Sequence, residues 1–200
     1  MKRLFIGVSL ENEQVDKLES FQSKVSKECG LETARPVCTD NFHMTLSFIG
    51  GVSTPAVSHL VNALDEVSNA TGWPKFDVTF NRLTFWQKPQ VICLSAAPLS
   101  QSTINPALAL TLARCYTISR NLDLFPEKSS KTGVADKHHD ASGFTPHVTL
   151  FHKAKLAKNN CLTQITPPHI SLQPTQLHLY QSISGPDGVK YPKLHSWALR

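Results

Sequence analysis

Two copies of one short pattern constrain this chain more than anything else in it. His43-Met44-Thr45-Leu46 and His147-Val148-Thr149-Leu150 each place a threonine two residues after a histidine, one copy in each half of the chain. In a strand, residues i and i+2 face the same way, about 7 Å apart along the backbone. Each copy therefore sets an imidazole beside a hydroxyl. Met44 and Leu46, and Val148 and Leu150, turn to the opposite, core side. One such triplet carries little meaning, because threonine is a common strand residue. Two copies with matching apolar partners describe a cleft in which two histidines and two threonines converge. That layout can hold a phosphate and move two protons. His169-Ile170-Ser171 has a similar spacing but no threonine and follows Pro167-Pro168, so it is expected to be structural.

The surroundings of the motifs extend the pattern. Arg3-Leu4-Phe5-Ile6-Gly7-Val8 opens the chain, Asn41-Phe42 precedes the first motif, Ser47-Phe48-Ile49-Gly50 follows it, and Phe144-Thr145-Pro146 precedes the second. In order and spacing these stretches resemble the two-histidine (2H) phosphoesterases, and within them the RNA 2′,3′-cyclic phosphodiesterases historically called 2′-5′ RNA ligases. The resemblance implies a bilobal α+β fold. Two mainly antiparallel sheets with outer helices would be related by a pseudo-twofold axis about a central cleft, residues 1–200 forming a single two-lobed domain. It also implies a metal-independent hydrolase that opens the cyclic end to a 2′-phosphate.

The bulk properties are compatible with that expectation. Two hundred residues are enough for one substantial core or two lobes sharing one. The net charge of +5 favours an anionic partner without naming it. No Lys/Arg run marks a basic tail. The apolar run after Lys2-Arg3 is too short for a signal peptide and is interrupted by Glu11 and Glu13, and nothing is long enough to span a membrane. Cys29, Cys38, Cys93, Cys115 and Cys161 are odd in number and scattered, so they read as reduced thiols of a cytoplasmic protein.

Periodicity predicts a strand over residues 3–10 and a helix over 11–28 stopped by Gly30. Residues 31–41 read as irregular, with Arg35-Pro36 among them, and the first motif strand as 42–49. A second helix fits 54–68, with Pro55 in its first turn. Strands follow over 76–85 and 91–94, then a helix over 106–120. A polar loop over 126–143 leads to the second motif strand from 147. Strands over 175–183 and 191–199 flank a turn at Pro186-Asp187-Gly188. The order strand, helix, motif strand thus occurs in both halves.

The chemistry follows from residue types. Hydrolysing a cyclic phosphate takes a base for water and an acid for the leaving oxygen, and histidine serves either role near neutrality. Threonine hydroxyls can donate to non-bridging phosphoryl oxygens. The matching motifs do not say which histidine is which. The resemblance makes His43 the acid and His147 the base, with Thr45 and Thr149 on the phosphate. In regular strands Ser47, Phe151 and Lys153 would share the cleft face, with Phe151 either stacking on a base or part of the core, and Lys153 either meeting a phosphate or a solvated strand end. Relatives often carry arginine soon after the second motif, where this chain has His152-Lys153.

The expected partner is an RNA or oligonucleotide with a 2′,3′-cyclic phosphate end, acted on by a monomer with neither cofactor nor metal. Related activities remain open: 2′-5′ RNA end ligation, or hydrolysis of small cyclic nucleotides. Two readings outside this class compete. An inactive RNA-binding module would not need both histidines and both threonines. A zinc protein using His43, His147 and His138 or His139 would leave the threonines unexplained. His138-His139-Asp140 reads as solvated, Trp73, Trp86 and Trp197 as core or rim packing, and His59, His178 and His195 as structural.

Overall fold

The computed structural model describes residues 1–99, 105–124, 143–156, 161–186 and 188–200. Strand β1 (Lys2–Ser9) is buried along most of its length, as its apolar run requires. Helix α1 (Asn12–Cys29) begins where the Glu11 backbone N–H donates to Gln14 Oε1 at 3.0 Å, and ends at Gly30, whose φ of 60° suits a residue without Cβ. Leu18, Phe21 and Val25 form its buried stripe. The stretch expected to be irregular holds a two-residue strand, β2 (Arg35–Pro36), and a 3-10 turn at Thr39–Asn41. The first motif strand, β3 (His43–Val52), runs through Gly50-Gly51 and stops later than the glycines suggested.

Helix α2 (Thr54–Ala70) packs through Leu60 and Leu64. The strand expected over 76–85 is two strands, β4 (Val78–Phe80) and β5 (Arg82–Trp86), parted at Asn81, whose N–H donates to the Ser95 carbonyl at 3.1 Å. β6 (Val91–Ser95) is wholly buried. Helix α3 (Pro106–Asn121) is capped by Asn105, whose side-chain oxygen accepts from the N–H groups of Ala107 and Leu108, both at 3.1 Å. The second motif strand is β7 (His147–His152). The short helix α4 (Cys161–Gln164) and strands β8 (Ile170–Leu172), β9 (Gln176–Gly185), β10 (Gly188–Lys190) and β11 (Lys193–Ala198) complete the chain.

The architecture is α+β and antiparallel. One large sheet runs β10-β9-β1-β3-β7-β6-β5, with β11 on β9 and β2 on β7, and β4 pairs with β8 in a second small sheet. The two motif strands are neighbours at its centre, joined through a single register pair, Met44 with Val148. The order β9-β1-β3 on one side mirrors β5-β6-β7 on the other. β5 follows the first half in sequence yet lies on β6, while β9 follows the second half and lies on β1. Each half thus contributes an outer strand to the other.

The cysteine expectation is corrected. Cys29, at the end of α1, is disulfide-bonded to Cys161, at the start of α4. The two cysteines stand 132 residues apart in sequence; the fold, not local spacing, brings them together. Cys38 is exposed, while Cys93 and Cys115 are buried free thiols. The disulfide withdraws the cysteine argument for the cytoplasm. Among the described residues no helix is long and apolar enough to cross a membrane. The loop expected over 126–143 lies outside the described residues except for Gly143.

Candidate active site

The site is built at the β3–β7 junction. An antiparallel register continued one residue either way from Met44–Val148 puts His43 across from Thr149 and Thr45 across from His147. The motifs are therefore crossed: each histidine faces the other motif's threonine. Gly7 and Ile6 of β1 pair with Thr45 and Ser47, skipping Leu46. Cys93 and Ile92 of β6 pair with Thr149 and Phe151, skipping Leu150. Both motifs thus carry a bulge at the residue after the threonine, the symmetry of the halves extending to a local irregularity.

Both imidazoles are oriented by the same device. His43 Nδ1 donates to the carbonyl of Asn41 at 2.6 Å, and His147 Nδ1 donates to the carbonyl of Thr145 at 2.8 Å. A carbonyl only accepts, so the proton sits on Nδ1 and Nε2 of the neutral ring carries the lone pair. His43 Nε2 accepts from the Thr45 hydroxyl at 3.0 Å. The Asn41 carbonyl is itself fixed, because Asn41 Nδ2 donates to the Val189 carbonyl at 2.6 Å. Thr149 Oγ1 accepts from the Cys93 thiol at 3.7 Å. Burial pushes that thiol up to about 12, so it stays a donor, and the Thr149 proton remains available to a ligand.

The two histidines differ in their surroundings. His43 lies among aromatic rings, with centroids of Phe5 at 4.8 Å, Tyr191 at 5.0 Å and Tyr180 at 5.8 Å, and Phe5 stacks on Tyr180 at 4.9 Å. Burial there pulls His43 down to about 4; the nearby His147 and His152 add to this, and the Asn41 carbonyl opposes it. His147 meets Trp86 edge-on at 4.5 Å. Trp86 is thus rim packing against a motif histidine, while Trp73 and Trp197 are core.

The bulges change which residues share the cleft. Each shifts the in–out alternation by one, so the face expected for Ser47, Phe151 and Lys153 is taken over by their neighbours. Phe151 is 1% exposed and belongs to the core, which removes it as a stacking platform. Lys153 lies beyond β7 with a φ of 54°. Phe48 is 58% exposed, with its ring 6.3 Å from that of Phe5. His152 lies near enough to act on the charge of His43. Its register partner is Arg35, and burial and that guanidinium hold His152 below the ordinary histidine range. Sequence reasoning did not place His152 near His43 or Arg35 beside His152, since Arg35 sits in a stretch without periodicity.

The remaining candidates fall away from the cleft. His138, His139 and Asp140 lie outside the described residues. Among the described residues no three His, Cys, Asp or Glu side chains are grouped to hold a metal ion. His195 faces Asp65 of α2 at 3.4 Å and packs on Trp197. His169 precedes β8, which belongs to the small sheet.

Residues 8–93 match the family described as LigT like Phosphoesterase. Along 200 residues the chain is 24% identical to the RNA 2′,3′-cyclic phosphodiesterase of Escherichia coli (strain K12), covering 99% of this chain and 97% of that protein. The crystal structure of E. coli LigT complexed with 3′-AMP is similar at a TM-score of 0.75, with 24% identity over 99% of this chain and 98% of that one. A crystal structure of a Thermus thermophilus protein is similar at 0.69, with 22% identity over 99% and 98% of the two chains. The family match thus lies in the first half of the chain, while the likeness in sequence to the E. coli enzyme and in fold to LigT runs its whole length.

Proposed function

We propose that this phosphoesterase hydrolyses RNA ends bearing a 2′,3′-cyclic phosphate to 2′-phosphomonoesters. The observation that carries the reading is the Met44–Val148 register pair between the motif strands, from which antiparallel geometry sets His43 across from Thr149 and His147 across from Thr45. A phosphate between the strands would meet a histidine and a hydroxyl on each side. The E. coli relative named for this activity and the LigT complex with 3′-AMP support an RNA-end substrate. The exchange of β5 and β9 supports reading residues 1–200 as one two-lobed domain.

In this mechanism His147 Nε2 takes a proton from water as the water oxygen attacks phosphorus. The bond from phosphorus to the ribose 3′ oxygen breaks, and His43 Nε2 delivers the proton that this oxygen needs. One water is consumed, and a 2′-phosphate and a free 3′-hydroxyl result. Thr45 and Thr149 donate to non-bridging oxygens, which carry more charge in the transition state than in the substrate. Burial keeps His43 neutral in the empty site, so its working proton arrives with the anionic substrate, which favours the charged ring. Holding the phosphate between fixed strands leaves one ester oxygen in line with the water, hence one product isomer.

The test is to supply an oligonucleotide ending in a 2′,3′-cyclic phosphate and resolve the product against authentic 2′- and 3′-phosphate standards. A 2′-phosphate alone is the expected result. A 3′-phosphate or a mixture would overturn the regiochemistry, and no turnover would overturn the activity.

A further inference from the structure

A cavity of about 240 Å³ opens beside His43, lined among others by Ser9, Asn12, Asp40, Asn41, Tyr191 and Lys193. At roughly 30 Å³ per water, it has room for about eight waters, or for a phosphate group with its sugar. It lies towards Ser9, the register partner of His43 in the β1–β3 pair. One wall is a chain of polar side chains. Lys193 Nζ donates to Ser9 Oγ at 3.3 Å, and Ser9 Oγ lies 3.1 Å from His178 Nε2. His178 Nδ1 lies 2.8 Å from Ser196 Oγ. Ser9 also hydrogen-bonds to Tyr180.

The hydrolytic steps use none of this, yet it is costly to build. His178 is 2% exposed and spends both ring nitrogens on serines drawn from β1 and β11. Burying an imidazole is unfavourable unless its nitrogens are paired. The result is that Ser9 Oγ is fixed in place and anchors the Lys193 ammonium at the cavity wall. Among the described residues Lys193 is in none of the ion pairs, although Asp40 lines the same cavity. Arg3 adds positive charge near Tyr191, which lines the same cavity. The wall offers a lone cation and a hydroxyl one strand-spacing from a catalytic histidine, which is the chemistry that recognises a second phosphate.

We propose that this cavity is a second phosphate subsite: it takes the phosphodiester linkage next to the cyclic end, with Lys193 as its cation and His178 positioning Ser9 beneath it. The inference rests on the RNA-end reading and narrows it to substrates with a strand attached. A nucleoside cyclic phosphate has nothing to place there.

The test compares kcat/KM for a dinucleotide ending in a 2′,3′-cyclic phosphate with that for a nucleoside 2′,3′-cyclic phosphate. The protein as described should favour the dinucleotide at least tenfold. Lys193→Gln and Ser9→Ala should each shrink that ratio towards one, and a dinucleotide with a neutral methylphosphonate linkage should behave in the original protein as the charged one does in Lys193→Gln. Titration calorimetry with a dinucleotide 2′-phosphate and a nucleoside 2′-phosphate gives the same comparison without turnover. A ratio near one in the original protein, or a ratio untouched by Lys193→Gln, overturns the subsite. If neither cyclic substrate is hydrolysed but the binding ratio still depends on Lys193, the catalytic reading fails and the subsite stands.

Discussion

Gln22 Nε2 donates at 2.7 Å to the carbonyl of Leu150, the bulged residue that follows Thr149. The same nitrogen donates to the Val37 carbonyl at 3.0 Å, and the Leu150 carbonyl also accepts from the Val37 N–H at 2.9 Å. A buried helix side chain therefore holds the second motif's bulge in shape. Gln22→Leu removes the donor and leaves the Val37 carbonyl unpaired, which should cost about 1–3 kcal/mol. Denaturant unfolding measures this. Turnover should fall as well, because the bulge sets where Thr149 points; full activity at the reduced stability would separate the bulge from the site.

His43→Ala and His147→Ala should each lower kcat by about 10²–10⁴-fold, the usual contribution of a general acid or base. Circular dichroism and thermal unfolding should show both variants folded. The roles separate on a phosphodiester with a p-nitrophenolate leaving group, which departs without a proton. His43→Ala should recover most of its loss on that substrate and His147→Ala little. The reverse pattern would exchange acid and base.

The pH profile of kcat/KM should be a bell, since one ring must be neutral and the other charged. That profile reports the free enzyme, where burial holds His43 near 4. An acid must carry its proton, so the lowered His43 leaves only a small share of the free enzyme in the working form near neutrality. The profile of kcat reports the complex, in which the substrate anion favours the charged ring. Its alkaline limb should therefore lie at higher pH than that of kcat/KM. Coincident limbs would show that the substrate does not supply the proton's stabilisation.

Stability should fall in mild acid. His43 and His178 are both lowered from 6.5 to about 4, chiefly by burial. Between those values the unfolded chain binds protons that the folded one refuses, so stability rises with pH across this window and is lost as pH falls from about 6.5 towards 4. Thermal midpoints in weakly binding buffers would show it. Saturating phosphate should reduce the slope by favouring protonated His43.

Turnover should persist after exhaustive dialysis against EDTA. Among the described residues no metal-holding group is present, and both proton transfers are assigned to imidazoles. Loss of activity restored by one added metal ion would bring back the zinc reading.

The sequence made the motif strands, the three long helices and the antiparallel character legible, because the apolar periodicity there is strong. It also put His43, Thr45, His147 and Thr149 on common faces. The bulges at Leu46 and Leu150 were not legible, since a bulge is a property of pairing and neither residue type requires one. The cleft face beyond the threonines depends on that: of the two readings open for Phe151, stacking ring or core, the structure takes core, and His152 lies near His43. Arg35 was hidden because a two-residue strand has no period. His178 was read as structural, but its partner Ser9 comes from a strand far away in sequence and could not be read beside it.

The exchange of outer strands also dictates an order of events during synthesis. β1 is made first, but its partner β9 is made nearly last. Until residue 176 or so has emerged, β1 presents an unpaired edge beside β3, and such edges recruit other chains. The first half also carries β5 forward before β6 exists to receive it. Neither half can therefore finish alone, and fragments cut between β5 and β6 should remain unstructured apart and regain the sheet, and with it the crossed motifs, only when mixed.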